Sequence, residues 1–348
     1  MVEFNISNTD SVKFPRITKR FQNVIRNLLH YGIVLQYRHI GEQLIPSSDN
    51  DIFTLTDPSP IGVGSMGVVL RGKYQNKNIV IKIINGNRSV PLTIIGDLPP
   101  NAPVINILGY SSYYADENKY EFILNCKDNT IVIFMEELTG GSLNDVIIKC
   151  KKNPNLLQQY GGLDNLVATI GIRIAGVFDA IHKYKNCMYS DINVSNILFN
   201  SNNEPILIDF DSFLTQSISH NMAFGTLGYI PLCKYTSIKY KCVGQTASDD
   251  YEMLVITLLD VSMLNEKGLH NTPKNRRQLL VIHPGDSNIV RDLKTFLLRL
   301  QIRDRIIESK SEFADIFKQL LLPYLNSNID KQITYMNPKR RSIRRNKR

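Results

Sequence analysis

The sequence predicts an α+β fold with two unequal lobes, a small β-rich N-terminal lobe and a larger helical C-terminal lobe. Between Ile52 and Met135 the apolar runs are short and rich in β-branched residues, as in strands. After Gly141 the apolar runs are longer and lack Pro, as in buried helices. We therefore predict an N-terminal extension with one helix, an N-lobe, a C-lobe and a basic disordered tail, at residues 1–50, 51–135, 136–336 and 337–348.

The composition is that of an ordinary globular protein, with 43% hydrophobic and 21% charged residues among 348. No run approaches the roughly 20 apolar residues of a membrane-spanning helix, and the first residues do not resemble a secretory signal. The five cysteines form no C-x-x-C pair, which favours a reducing compartment. We expect an intracellular protein, cytoplasmic or nuclear, without a membrane partner.

The net charge of +9 suggests nucleic-acid binding at first sight, but the charge is unevenly distributed. Seven positive charges lie within residues 339–348, in the run PKRRSIRRNKR. The basicity therefore belongs to a tail, which is typically solvated. We expect no nucleic-acid partner except through this tail.

In the N-terminal part, the apolar spacing predicts one helix from Phe21 to Leu35. A β-hairpin follows, because two β-branched runs flank the polar turn Gln75 to Asn78. These runs are Val68–Tyr74 and Ile79–Ile84. Two further strands are expected at Tyr120–Leu124 and Ile131–Met135.

In the C-terminal part, long apolar periodicity predicts two buried helices, Leu166–Ile181 and Tyr251–Leu264. These helices would supply the core of the larger lobe.

The run from Ile61 to Val69 contains three glycines with the spacing G-x-G-x-x-G, followed by a valine. Glycines allow backbone amides to approach phosphate oxygens closely. A dinucleotide-binding turn would be followed by a helix, whereas here a strand hairpin follows. The pattern thus favours a flap over phosphates, with Lys82 on the second hairpin strand directed into a cleft. Taken alone, Lys82 would be interpreted as an ordinary surface lysine on an edge strand.

Three polar residues further along have a spacing that suits phosphoryl transfer. Asn196 follows Asp191 by five residues, and Asp209 follows the apolar run Ile206-Leu207-Ile208. Phosphoryl transfer needs one carboxylate to orient the attacking hydroxyl and hard oxygen ligands to hold Mg²⁺. Asp191 suits the first role, and Asn196 with Asp209 suits the second. Each residue alone could be an ordinary turn residue.

Together, these features resemble the eukaryotic-type protein kinase superfamily over about Ile52 to Leu322. The resemblance implies a bilobal kinase-like fold that binds ATP and Mg²⁺, with Asp191 and Lys82 as catalytic residues and Asn196 and Asp209 as metal ligands. It places adenine against the backbone of Glu136 and Leu138, with Met135 beside the pocket. The implied nucleotide-binding residues are Ile61, Gly62, Val63, Gly64, Gly67, Val69, Lys82, Met135, Glu136 and Leu138.

The resemblance extends to Gly225-Thr226 at the end of the activation segment. It also assigns Asp249 the role of holding the backbone of the catalytic loop. Both are expectations drawn from the family pattern.

Several positions depart from the family pattern. Ser190 stands where the family has an Arg, Asn193 where Ser/Thr kinases have a Lys, and Asp211 where the D-F-G motif has its Gly. The Glu that normally pairs with the strand lysine is missing. Three alternatives remain: Asp97 takes the place of this Glu as the partner of Lys82, an acid from elsewhere in the chain does so, or Lys82 has no acidic partner.

The resemblance implies a serine/threonine protein kinase acting on a protein substrate. The alternative is a pseudokinase that binds nucleotide or a partner without turnover. The retained Lys82, Asp191, Asn196 and Asp209 favour the enzyme, and the departures favour the alternative.

Overall fold

The computed structural model describes a mixed α+β protein, with the main sheet in the N-terminal part and the helices in the C-terminal part. The chain divides into two compact units. Unit 1 comprises residues 1–97 and 105–138, and unit 2 comprises residues 98–104 and 139–348. The described residues are 25, 33–34, 37–40, 43–46, 52–63, 67–85, 98, 102–113, 130–182, 187–210, 214–215, 225–226, 228–231, 246–265, 278–302 and 310–326.

Within the described part of unit 1, eight strands form one antiparallel sheet, in the order β1-β4-β5-β6-β8-β7-β2-β3. The strands are β1 (Ile33–Val34), β2 (Tyr37–Ile40), β3 (Gln43–Pro46), β4 (Ile52–Val63), β5 (Gly67–Tyr74), β6 (Lys77–Asn85), β7 (Ile107–Tyr113) and β8 (Thr130–Glu136).

The predicted hairpin is confirmed as β5 and β6. Its two turn residues, Gln75 and Asn76, have φ values of 46° and 64°. Positive φ at both central residues matches the right-handed twist of the flanking strands. The predicted strand Ile131–Met135 is confirmed within β8, whereas Tyr120–Leu124 lies outside the described residues.

The predicted helix Phe21–Leu35 was wrong at its C-terminal end. Ile33 and Val34 form β1 and pair with Phe53 and Ile52 of β4. Two β-branched residues beside an available sheet edge are better satisfied by strand pairing than by another helical turn. Ile25, in the first half of the predicted helix, is helical and buried.

The core of unit 1 is a cluster of buried aliphatic and aromatic side chains on one face of the sheet. Phe53 lies at its centre, with its ring 4.3 Å from that of Tyr74 and 4.0 Å from that of Phe134. Ile25 packs into the same cluster, so the N-terminal extension contributes to this core. Burial of such side chains, at about 1.5–3 kcal/mol each, is the main force that holds the sheet.

Four of the described α-helices of unit 2 pack against one another. Both predicted helices are confirmed, as α2 and α3. Helix α2 packs against α3 and α5, and α3 packs against α4. The helices are α1 (Leu143–Lys152), α2 (Leu163–Ala180), α3 (Ala247–Ser262), α4 (Asn288–Ile302) and α5 (Lys310–Leu321), with 3₁₀ helices at Pro154–Tyr160 and Leu322–Tyr324.

No single helix in the described parts of the chain is long and apolar enough to cross a membrane. The 3₁₀ helix Pro154–Tyr160 and α2 reach the length and apolar composition of a membrane span only when taken together, and they are bent by 47° where they join.

Two short antiparallel pairs in unit 2 frame the segment that carries the candidate catalytic residues. Strand β9 (Cys187–Met188) pairs with β12 (Leu214–Thr215), and β10 (Ile197–Phe199) pairs with β11 (Pro205–Leu207). Val104 forms a parallel bridge to Leu207. Residues 189–196 therefore connect two anchored strands.

Candidate active site

In unit 1 the glycine-rich run joins two antiparallel strands. Ile61, Gly62 and Val63 end β4, and Gly62 lies opposite Val69 of β5. Gly64 lies outside the described residues. The run therefore belongs to a strand-to-strand connection, as a flap requires, and no helix begins within its described part.

The two described glycines of this run have different surroundings. A Cβ on Gly67 would lie 2.2 Å from the carbonyl oxygen of Ile83, far inside contact distance. A Cβ on Gly62 would lie 3.6 Å from Val69, in ordinary contact. Gly67 is thus required by packing of the hairpin, whereas packing places no such demand on Gly62.

Lys82 lies in the middle of β6, between Val69 on one neighbouring strand and Ile133 on the other. Its neighbours Ile81 and Ile83 are fully buried in the core cluster. Because successive side chains of a strand alternate between faces, Lys82 lies on the opposite face of the sheet, where it is half-buried.

The predicted adenine-binding residues follow at the end of β8. The amide N–H of Glu136 donates to the carbonyl of Asn106 at 3.1 Å, and Glu136 Oε1 accepts from the amide of Asn106 at 3.0 Å. The carbonyl oxygen of Glu136 takes part in neither bond. Met135 and Leu138 are half-buried on either side.

In unit 2 the backbone of the candidate catalytic segment, residues 189–196, is held by Asp250 and not by Asp249, to which the resemblance assigned this role. Asp250, which is fully buried on α3, accepts from the amides of Tyr189 at 2.8 Å and Ser190 at 2.9 Å. His182 Nε2 lies 2.8 Å from the same carboxylate. Asp249 instead accepts from the amide of Thr246 at 2.7 Å.

The reason for this difference is the start of α3 after Thr246. Asp249 is the third helical residue, so its side chain reaches back to the helix N-terminus in a capping box. Asp250 lies one residue further round the helix and faces the catalytic segment. The T-x-x-D pattern of the sequence would have assigned Asp249 to the cap.

The carboxylate of Asp191 is held by two separate segments. Its Oδ1 accepts from the amide of Thr226 at 2.6 Å and from the Thr226 hydroxyl at 2.7 Å. Its Oδ2 accepts from Asn196 Nδ2 at 3.2 Å. Burial raises the pKa of Asp191, hydrogen bonds from Thr226 and Asn196 act in the opposite direction, and the charge of Asp209 raises it further.

Asn196 and Asp209 are brought together by the backbone. The carbonyl of Asn196 accepts from the amide of Ile208 at 2.9 Å, directly before Asp209. The Tyr189 hydroxyl donates to the carbonyl of Ile208 and ties the same two segments. The structure therefore places Asp191, Asn196 and Asp209 in one region of unit 2.

The oxygen atoms of this region suit a hard divalent cation. Asn196 Nδ2 is engaged by the carbonyl of Asp191 at 2.8 Å, so Oδ1 is the atom of that side chain not used in these bonds. Asp209 adds a carboxylate. The described residues contain no group of three His, Cys, Asp or Glu side chains that could hold a metal. Mg²⁺ keeps several waters and binds through few protein ligands plus phosphate oxygens, and the amide and carboxylate oxygens of Asn196 and Asp209 are ligands of the kind it prefers.

Two residues of this site have a left-handed backbone conformation. Ser190 and Asp209 have φ values of 71° and 61°, which are uncommon for residues with a side chain. Gly225 has φ 116°, and a Cβ there would lie 2.7 Å from the carbonyl oxygen of Ser190. Gly225 thereby allows Thr226 to reach Asp191. Such strain is typical of functional sites.

Thr226 and Asp250 are the residues whose roles the sequence did not reveal. The family pattern includes Gly225-Thr226 but does not indicate the contact between Thr226 and Asp191. Their partners lie 35 and 60 residues away in sequence, so local spacing could not identify them.

Two of the departures lie within the described residues. Ser190 is fully buried, and its hydroxyl has no hydrogen-bond partner in the described structure. Asn193 is buried and bonds to Asp191 and Thr226. Asp97 and Asp211 lie outside the described residues.

Comparison with known proteins supports a kinase-like chain at a coarse level. Mitogen-activated protein kinase kinase 1c of Physcomitrium patens is 25% identical over 264 residues, which cover 72% of this chain and 70% of that protein. No protein-family model matches the chain. The chain is thus distantly similar to a protein kinase over most of its length, and its mixed α+β architecture is compatible with a kinase fold.

Proposed function

We propose that this protein is an ATP- and Mg²⁺-dependent phosphotransferase, a protein kinase that phosphorylates Ser or Thr hydroxyls of an intracellular protein substrate. The observation that carries the proposal is the fixed Asp191 carboxylate in unit 2. Hydrogen bonds from Thr226 and Asn196 orient it, and Asp209 is near enough to raise its pKa. The distant similarity to a protein kinase supports the same reaction class.

In this proposal Asp191 accepts the proton of the attacking hydroxyl. Burial raises the pKa of Asp191, which makes its carboxylate a better acceptor for that proton. Asn196 Oδ1 and Asp209 hold the cation. Bound ATP with Mg²⁺ supplies the transferable phosphoryl group and the charge that neutralises it.

Unit 1 supplies the nucleotide-binding residues. Lys82, on the face of β6 opposite the core, provides an ammonium for the phosphates. The glycine-rich connection between β4 and β5 covers them, and the backbone of Glu136 and Leu138 binds adenine. These assignments follow the resemblance and the positions of the residues on the sheet.

A nucleotide-binding pseudokinase is the second candidate. The observation in its favour is Asn193, a neutral amide whose atoms are used in hydrogen bonds to Asp191, Thr226 and Ser195. An amide at this position supplies no charge to a transferring phosphoryl group.

The first prediction concerns Asp191→Asn. Transfer of labelled γ-phosphate from ATP, with Mg²⁺ or Mn²⁺, to a generic protein and to the chain itself should fall by about 10²–10⁴-fold, because the hydroxyl proton loses its acceptor. The measurement is incorporation of label under saturating ATP.

The matched control is Asp145→Asn, the same substitution at the N-terminus of α1, where the carboxylate caps the helix. Its transfer rate should stay within about twofold of the wild type. Equal signal from the wild type and Asp191→Asn would reject the enzyme. ATP-dependent thermal stabilisation of both proteins would then support the pseudokinase.

A further inference from the structure

The side chain of Asn193 contacts three groups of the candidate active site at once. Its Nδ2 lies 3.0 Å from the carbonyl of Asp191, 3.3 Å from Asp191 Oδ1 and 3.0 Å from the Thr226 hydroxyl. Its Oδ1 accepts from the amide of Ser195 at 2.9 Å. The residue is buried, with 1% of its surface exposed.

These contacts close a ring of hydrogen bonds. Thr226 donates its hydroxyl to Asp191 Oδ1, and Asn193 donates to the same hydroxyl oxygen and to the same carboxylate. Thr226 comes from a distant segment, so the amide of Asn193 links that segment to the catalytic one. A buried amide whose donors and acceptor are all used restricts its partners to one arrangement.

We propose that Asn193 is a positioning residue whose amide holds the Asp191 carboxylate and the Thr226 hydroxyl in one fixed unit. This inference rests on the proposed function for its kinetic part and deepens that function. The turn formed by Oδ1 and the Ser195 amide directs Nδ2 toward Asp191. Asn193 thereby replaces a charged side chain by a neutral bridge that orients the base without adding charge.

An Asn in such a turn could serve the turn alone, and one substitution separates the two roles. Asn193→Asp keeps an oxygen for the Ser195 amide and replaces the amide donor by an oxygen that repels the Asp191 carboxylate. Asn200→Asp is the matched control. Asn200 Oδ1 also accepts two backbone amides, and its Nδ2 donates to a carboxylate, Glu204, at 2.8 Å.

The kinetic test measures kcat and the KM for ATP. Asn193→Asp should lower kcat by about 100-fold with a KM within about twofold, because orientation is lost and nucleotide binding is not. Asn200→Asp should leave kcat within about twofold. Thr226→Ser, which keeps the hydroxyl, should retain more activity than Thr226→Val.

A double-mutant cycle tests the shared ring. If the two residues act as one unit, Asn193→Ala combined with Thr226→Val should lose much less kcat than the product of the two single losses. Losses that simply multiply would contradict the proposal.

A second readout needs neither nucleotide nor turnover. Hydrogen exchange of the Thr226 amide, followed by NMR in the nucleotide-free chain, should speed up by about tenfold or more in Asn193→Asp and stay unchanged in Asn200→Asp. Absence of phosphate transfer in the wild type would reject the proposed function only. The exchange rates would still show whether Asn193 links Asp191 and Thr226. Unchanged exchange in Asn193→Asp, or an unchanged kcat in an active enzyme, would overturn the inference.

Discussion

Asp250 shows how much one buried acid can organise. It accepts two backbone amides of the catalytic segment and lies against His182, all in the interior of unit 2. An unpaired buried donor costs about 1–3 kcal/mol, so loss of this acceptor affects several groups together. One of these amides belongs to Ser190, whose φ of 71° is in the left-handed region.

Asp250→Asn should therefore lower the free energy of unfolding by about 2–4 kcal/mol, since one acceptor oxygen is replaced by a donor facing other donors. Its neighbour Asp249 offers the comparison. Asp249→Asn should cost about 1 kcal/mol or less, because the side-chain oxygen of Asn can still accept from the amide of Thr246. Urea denaturation of the two variants measures the difference, and a larger loss for Asp249→Asn would contradict the assignment.

At the candidate active site, spacing along the chain was informative where contacts are local. Asp191 and Asn196 lie five residues apart and bond directly, so their association could be predicted. Thr226 and Asp250 could not be assigned in this way, because their contacts depend on the packing of α3 and on the close approach of Gly225. The roles of Lys82, Asn196 and Asp209 stay predictions.

Among the elements, the two longest helices and one hairpin were predicted, and several short strands were not. Helices α2 and α3 and the hairpin β5–β6 have enough residues to show a period. Strands β1, β2 and β3 have two to four residues each and pair with one another or with β4 and β7. Such strands form because a partner edge is available, which no local pattern reveals.

The hairpin β5–β6 carries a prediction about its glycine. Gly67→Ala should lower the free energy of unfolding by about 1–3 kcal/mol, because the added methyl group would overlap the carbonyl oxygen of Ile83. Gly62→Ala, with room for a methyl group, should change it by about 0.5 kcal/mol or less. Thermal unfolding measures both changes. Equal unfolding midpoints for the two variants would show that β5 and β6 can move apart to accommodate the methyl group at no cost in stability.

For the whole molecule, two carboxyl groups of unit 2 link stability to pH. Burial alone would raise the pKa of Asp286, but the hydrogen bond and charge of Lys294 lower it overall. Burial alone would also raise the pKa of Glu204, but the hydrogen bonds from Asn200 and Arg173 and the charge of Arg173 lower it overall. A carboxyl group with a lowered pKa stabilises the fold above its unfolded pKa, and this contribution is lost as the pH falls through its folded pKa.

Asp286→Asn and Glu204→Gln should therefore destabilise the protein most near pH 7 and progressively less as the pH falls below about 4, the ordinary pKa of an unfolded carboxyl group. Urea denaturation at pH 7, 5 and 3 measures the difference from the wild type. A difference that does not change with pH would mean that these carboxylates contribute through shape rather than charge.

The division into two units follows the composition only in part. The sequence predicted a change from strands to helices near residue 135, and the structure changes units at Leu138 and Thr139. The return of residues 98–104 to unit 2 was not predictable, because it rests on the pairing of Val104 with Leu207 and on no composition change.

The inclusion of residues 98–104 in unit 2 affects how the chain can be divided into fragments. The amide of Leu207 donates to the carbonyl of Pro103, so a fragment beginning at Thr139 would lack the partner of its own β11 edge. A fragment ending at Leu138 would contain the Pro103 carbonyl but not the Leu207 amide that donates to it. Residues 98–104 and 139–348 belong to one compact unit, so a cut after Leu138 would divide that unit between two fragments.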